Sequence, residues 1–188
     1  SGHNISLIGQ SREGTIIKNA ADRSIEGIGT TATLVNSGQN LYMQDITLQN
    51  ALDYYGAQSA GQPGGRAVCL QDRGDRVILK NVAMLSYQDT YYSQGTKQSY
   101  WEDCDVHGTV NFLCGGGDLR FVNTTLSLEP RNLNGTGGRT ITAPPTTGDF
   151  GYVFDNCKVV DLAHGKGDWN FGRTWQNNPI EVYLNNTL

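Results

Sequence analysis

An Asn or Asp residue recurs in successive strand-like segments of this sequence, each time between apolar or aromatic residues and a small or apolar residue. Five positions share this pattern: Asp45, Asn81, Asp103, Asn123 and Asn156. The intervals between them are 36, 22, 20 and 33 residues. An interval of about 20 residues matches one coil of a solenoid, and the longer intervals match a coil that carries an enlarged loop.

Stacking of coils explains why one residue type returns at one position. A single coil cannot bury its inner face, whereas stacked coils align equivalent positions and bury columns of apolar side chains. Asn and Asp tolerate a bent backbone at a corner and can hydrogen-bond to it. The pattern therefore predicts an all-β protein with a parallel β-helix architecture. Strands of the same lengths would also permit an antiparallel β-sandwich, which is the alternative.

The predicted strands are short segments with a period of two residues, bounded by Gly, Asn, Asp and Ser. They fall within residues 4–17, 32–48, 67–85, 99–106, 119–126 and 151–160. No stretch of about a dozen residues shows a 3.6-residue period. The content of 24 Gly against 5 Pro favours tight turns between short strands over long helices.

Composition and charge exclude several classes of function. The 188 residues suit a single domain spanning the whole chain, residues 1–188. A net charge of -4 gives no basic face for nucleic acid, and no apolar run is long enough to cross a membrane. The four Cys lack zinc-like spacing and are predicted to be small buried hydrophobic residues. The three His are scattered, so we expect neither a metal nor an organic cofactor.

Four polar residues are predicted to meet on neighbouring coils. Asp89 stands beside Gln88, and Asn111 follows 22 residues later, which is one coil. Arg173 lies two coils further on. A carboxyl group, a second group of carboxylate shape, a guanidinium and an amide around one point would suit acyl transfer. In that chemistry one group donates a proton, another attacks, and amide donors hold the oxyanion.

Four ordered segments carry a resemblance to a known family: Arg66–Leu70, Ser86–Tyr92, Gly108–Gly115 and Phe171–Trp175. They resemble, in this order, the Gln-Ala-Val-Ala-Leu, Gly-Tyr-Gln-Asp-Thr-Leu-Tyr, Gly-Thr-Val-Asp-Phe-Ile-Phe-Gly and Leu-Gly-Arg-Pro-Trp segments of the pectin methylesterases. The family consists of carbohydrate esterases with a right-handed, pectin-lyase-like parallel β-helix that demethylate homogalacturonan. The resemblance extends over almost the whole chain.

The resemblance implies a role for each matching residue. The family's general acid falls on Asp89, its nucleophile on Asn111 and its nucleophile-orienting Arg on Arg173. The two oxyanion-hole positions fall on Gln88 and Arg66. A sugar-stacking Trp matches Trp175, and two further positions that contact the polymer match Tyr92 and Val110.

Two departures from the family pattern alter the expected chemistry. Asn111 stands where the family has a nucleophilic Asp, and a neutral carboxamide is a poor nucleophile. Arg66 stands where the family has Gln. An Arg at this position retains hydrogen-bond donors and adds a charge. Three hypotheses follow: an esterase disabled by an Asp-to-Asn change, a catalytically dead β-helix that binds galacturonan, and a structural β-helix module without a ligand.

The resemblance also gives expectations about the setting of the protein. The family begins about one coil earlier and ends later, so we expect terminal coils beyond both ends of this sequence. The partner is expected to be the pectin polysaccharide homogalacturonan, and the protein is expected to be a monomer. The location that matches such a partner is secreted, periplasmic or at the cell surface.

Overall fold

The computed structural model describes residues 2–21, 27–60, 65–94, 98–145 and 148–188. Within these ranges the protein consists of short strands and one helix, α1, at Tyr54–Ser59. The strands are β1 (Ile5–Ile8), β2 (Ile16–Asn19), β3 (Leu34–Asn36), β4 (Gln39–Asn50), β5 (Leu70–Asp72), β6 (Asp75–Leu85), β7 (Tyr91–Ser93), β8 (Gln98–Glu102), β9 (Asp105–Gly108), β10 (Val110–Gly115), β11 (Asp118–Val122), β12 (Thr125–Leu128), β13 (Arg139–Ala143), β14 (Tyr152–Asp155), β15 (Lys158–Asp161), β16 (Trp169–Gly172) and β17 (Glu181–Leu184).

The strands form three faces that run along a solenoid. The first face contains β1, the first halves of β4 and β6, and then β8, β11, β14 and β17. The second face contains β2, the second halves of β4 and β6, and then β9, β12 and β15. The third face contains β3, β5, β7, β10, β13 and β16. All of these pairings are parallel, which confirms the parallel β-helix and excludes the antiparallel sandwich.

The recurring Asn and Asp residues form a ladder at the corner between the first and second faces. All five predicted positions have a left-handed backbone, with φ between 50° and 56°. The Asn81 side chain donates a hydrogen bond to Asp45 at 2.6 Å, and Asn156 donates to Asn123 at 2.8 Å. Asn and Asp enter the left-handed region at a lower energetic cost than other non-Gly residues. The ladder therefore fixes where each coil turns, as the sequence predicted.

Side chains that point into the solenoid stack in columns from coil to coil. Trp101, Phe121 and Phe154 occupy equivalent positions on successive strands of the first face and are fully buried. The rings of Phe121 and Phe154 are nearly parallel, with centroids 4.6 Å apart, an arrangement that adds to the stabilisation from apolar burial. The four Cys are also buried free thiols, which confirms that prediction.

Helix α1 is the one helical element in the described ranges, and its six residues are too short to produce a 3.6-residue pattern. It begins after Asp53, whose side chain accepts a hydrogen bond from the Gly56 amide at 3.0 Å, a typical N-cap. It lies in the 36-residue interval between Asp45 and Asn81, where the spacing predicted an enlarged loop. No helix in the described part of the chain has the length and apolar character needed to cross a membrane.

The ladder can be tested at Asn81 by comparing two truncations. Asn81→Ala removes the hydrogen bond to Asp45 and leaves a Cβ in the left-handed region, so we expect a loss of about 1–3 kcal/mol in the free energy of unfolding. Asn81→Gly removes the same hydrogen bond without the backbone strain, so its loss should be smaller. Urea denaturation measures both. Equal losses would contradict a contribution from the left-handed corner.

Candidate active site

The third face places Asp89 and Asn111 side by side. Strand β7 pairs with β10 so that Tyr91 lies opposite Leu113, and the same register, continued to two positions before Tyr91, aligns Asp89 with Asn111. The Asp89 amide donates a hydrogen bond to the Val110 carbonyl at 3.2 Å. Both Asp89 and Asn111 have a left-handed backbone, with φ of 58° and 52°. The 22-residue interval therefore is one coil, as the sequence predicted.

A pocket of about 280 Å³ opens at this point, and six of the eight predicted site residues line it. These six are Arg66, Gln88, Asp89, Asn111, Arg173 and Trp175. Tyr92 and Val110 do not line the pocket, although both belong to the strands beside it. Their proposed contacts with a polymer, like the roles of the other six residues, remain predictions.

Arg173 reaches the pocket from the end of β16, two strands away from β10 on the third face. Its backbone amide donates to the Thr142 carbonyl at 3.2 Å, which continues the parallel pairing beyond the strand end. Its side-chain Nε donates a hydrogen bond to Asn111 Oδ1 at 2.9 Å. The guanidinium therefore holds the residue at position 111 in a fixed orientation.

Arg66 and Gln88 complete the polar wall through a pairing of neighbouring coils. The two residues form a parallel bridge, and the Ala67 amide donates to the Gln88 carbonyl at 2.9 Å. Arg66 Nε lies 3.3 Å from Asp89 Oδ2, and the Arg66 side chain is 42% exposed whereas that of Asp89 is 5% exposed. The ion pair thus joins a buried carboxyl group to a guanidinium at the mouth of the pocket.

Burial dominates the protonation of Asp89. Removal from water raises the pKa of its carboxyl group to about 7, although Arg66, Arg173 and a hydrogen bond from Gln88 act in the opposite direction. A carboxyl group with a pKa near neutrality exchanges its proton readily in both directions, which suits a general acid or base. The arrangement can therefore deliver a proton to a leaving group in the pocket.

The residue beside this acid is a neutral amide. Asn111 has no charge with which to attack a carbonyl carbon. Asp118, the next carboxylate along the chain, does not line the pocket and therefore does not supply the missing charge. The Asp118 carboxylate accepts hydrogen bonds from the backbone amides of Phe150 and Gly151, at 2.9 and 2.7 Å, next to the first face. Among the residues that the structure describes, no group of three or more His, Cys, Asp or Glu side chains could hold a metal ion.

Sequence reasoning did not find three residues that line the pocket, namely Ile28, Cys114 and Ala143. Cys114 and Ala143 are paired on β10 and β13, and both side chains are small, which leaves space beside Asp89. The sequence identified Cys114 only as a buried residue. Its contact with Ala143 could be recognised only from the register between β10 and β13. A shift in that register between Val110 and Leu113 makes it unpredictable from the sequence.

The fold and this pocket define a class of protein: a parallel β-helix with a carboxyl group, two arginines and an aromatic residue grouped around one pocket. Residues 1–188 match the model of the family described as Pectinesterase. The chain belongs to the pectinesterase family.

Individual relatives agree with this assignment. The chain is 34% identical over 197 residues to "Probable pectinesterase/pectinesterase inhibitor 44" of Arabidopsis thaliana. This alignment covers 98% of this chain and 35% of that protein. It is 29% identical to "Pectinesterase 2" of Citrus sinensis, in an alignment that covers 98% of this chain and 36% of that protein. The chain therefore spans about a third of the length of these curated relatives.

Solved structures give the same result for the fold. Pectin methylesterase PemA from Erwinia chrysanthemi superposes with a TM-score of 0.88 at 27% identity, covering 98% of this chain and 64% of that one. A pectin methylesterase crystallised in complex with a hexasaccharide superposes with a TM-score of 0.85 at 27% identity, covering 96% of this chain and 63% of that one.

The raised pKa of Asp89 predicts a measurable dependence of stability on pH. The folded-state pKa of Asp89, about 7, lies above its ordinary value of 3.8. The protonated carboxyl group therefore contributes stability to the fold below pH 3.8, and this contribution is lost as the pH rises through about 7. Asp89→Asn cannot ionise. We therefore expect the free energy of unfolding of this variant to rise relative to that of the unchanged protein as the pH increases from about 4 to about 8.

Urea denaturation of both proteins across this range measures the difference. Asp45→Asn is a suitable control because hydrogen bonds from Asn81 and Gln44 lower the pKa of Asp45. Removal of that carboxylate should not produce the gain above pH 4. A difference between Asp89→Asn and the unchanged protein that stays constant with pH would rule out a raised pKa at Asp89.

Proposed function

We propose that this chain carries a pectin methylesterase site that recognises homogalacturonan and lacks only the attacking carboxylate. The observation that supports the proposal best is the hydrogen bond from Arg173 Nε to Asn111 Oδ1, at 2.9 Å. It holds the carboxamide beside Asp89, in the position that an attacking carboxylate needs. Asp differs from Asn only by replacement of the amide nitrogen with an oxygen, so the site has the required shape without the charge.

With a carboxylate at position 111, each neighbour has a defined task. Arg173 keeps that carboxylate ionised and directs one oxygen towards the carbonyl carbon of a methyl ester. Gln88 and Arg66 donate hydrogen bonds to the oxyanion that forms. The bond to the methoxy group breaks as protonated Asp89 gives its proton to the departing methoxy oxygen, which leaves as methanol. Water then cleaves the acyl-enzyme, with Asp89 taking a proton from it.

The chain as it stands binds the polymer without this turnover. Trp175 is 40% exposed and lines the pocket, which suits stacking against a sugar ring. A catalytically dead galacturonan-binding protein is the second candidate, and the neutral side chain of Asn111 is the observation that favours it. Both candidates imply a monomer that is secreted, periplasmic or at the cell surface, where the polymer is found.

Restoration of the carboxylate separates the two candidates. If only the nucleophile is missing, Asn111→Asp should raise methanol release from methyl-esterified pectin by at least about a hundredfold, since loss of a nucleophile costs several orders of magnitude. Addition of Asp89→Asn to that variant should abolish the gain. If methanol release stays at background in folded Asn111→Asp, the site lacks more than a nucleophile and the dead binding protein is favoured.

Asn40→Asp provides a matched control. Asn40 also has a left-handed backbone, with φ of 60°, and its side-chain oxygen also accepts a hydrogen bond from an arginine Nε, that of Arg76, at 2.6 Å. It lies on β4, away from the pocket. The same change of charge there should leave methanol release at background.

A further inference from the structure

The charges around the pocket differ in sign from those of the whole chain. The chain has a net charge of -4, yet the described residues that line the pocket include two guanidinium groups, those of Arg66 and Arg173, and one carboxyl group, that of Asp89. Asn111 adds no charge. The pocket is therefore positive whether Asp89 is ionised or protonated, and it is more positive when Asp89 is protonated.

Such a pocket distinguishes an anion from a neutral ester. A carboxylate that leaves water requires charged or hydrogen-bonded partners, and a guanidinium supplies them in a planar, charge-assisted geometry. A methyl ester has no charge for an arginine to compensate. A negative side chain at position 111 would repel an incoming carboxylate, whereas the Asn111 amide can donate a hydrogen bond to it.

We infer that this pocket selects a galacturonate unit with a free carboxylate over the methyl-esterified unit, and that Arg66 and Asn111 set this selectivity. The inference rests on the proposed recognition of homogalacturonan and names the form of the polymer that the site takes. The ligand carboxylate lies between Arg66 and Arg173, and the sugar ring packs against Trp175. In this position the unit occupies the place where an esterase would hold its methyl ester.

The dimensions of the pocket agree with a single sugar unit. Its volume of about 280 Å³ is at the small end of the range for sites that enclose a small molecule. Ala143 and Cys114 form part of its lining and offer no charge at neutral pH, since burial raises the pKa of the Cys114 thiol well above its ordinary value. The two arginines therefore dominate the recognition of an anionic group.

The pH dependence of binding follows from the groups that face Asp89. Among the residues that the structure describes, these are Arg66 from the segment before β5, Arg173 from the end of β16, Gln88 and the Cys114 thiol. Near pH 7 the Asp89 carboxyl group gains or loses its proton. Protonation removes the negative charge of Asp89, which pairs with Arg66 and would lie beside the ligand. Binding of an anionic unit should therefore strengthen as the pH falls from about 8 to about 6.

The test compares two galacturonate oligomers of equal length, one unesterified and one fully methyl-esterified, by isothermal titration calorimetry on the full chain. The unesterified oligomer should bind at least about tenfold more tightly, since hydrogen bonds to charged groups contribute that much. Arg66→Gln should remove most of this preference, and Arg66→Lys, which keeps the charge, should retain part of it. Asn111→Asp should weaken binding of the unesterified oligomer more than that of the ester.

Arg120→Gln is the matched control because Arg120 lies on the first face, in β11, where it forms an ion pair with Asp155 at 3.2 Å. This variant should keep the full preference. Equal or tighter binding of the esterified oligomer would overturn the selectivity while leaving recognition of homogalacturonan intact. An undiminished preference in folded Arg66→Gln would overturn the assignment to Arg66. Absence of binding by either oligomer would overturn the recognition of homogalacturonan and this inference with it.

Discussion

The left-handed backbone at the Asn and Asp corners is the constraint on which the other features of this protein depend. Each corner ends one face and begins the next, so the position of the corner decides which residues of successive coils lie in register. The hydrogen bond from Asn81 to Asp45 and that from Asn156 to Asn123 connect corners of successive coils. A shift of a corner by one residue would therefore displace the side chains that follow it on that coil.

The pocket is a direct result of this register. Asp89 and Asn111 both lie at corners, which brings them together although 22 residues separate them, and Arg173 joins them from two strands further along the third face. Burial and the neighbouring charges then have opposite effects on the pKa of Asp89. The stacked coils exclude water from Asp89 and raise its pKa, while two arginines lower it without reversing the effect. The protonation state of Asp89 therefore controls how positive the pocket is.

Sequence reasoning predicted the repeating part of the structure better than the connecting part. The Asn and Asp intervals were sufficient for the β-helix and for the pairing of Asp89 with Asn111, because both depend on the coil length alone. Strand β7 lies outside the predicted strand segments and has only three residues, too few for an alternating pattern. Helix α1 depends on a local cap at Asp53, and the contact between Cys114 and Ala143 depends on a register shift that no composition reveals.

The backbone at Asn111 limits which residues that position can accept. With φ of 52°, a β-branched or bulky side chain would be strained there, whereas Gly, Asn and Asp are tolerated. Of these three, only Asn and Asp can accept the hydrogen bond from Arg173. In the proposed site, Asp at this position would attack an ester, whereas Asn would receive a carboxylate. On the proposed function, replacement of one carboxamide by a carboxylate at position 111 would convert a galacturonan-binding protein into an esterase, with no rearrangement of the surrounding coils.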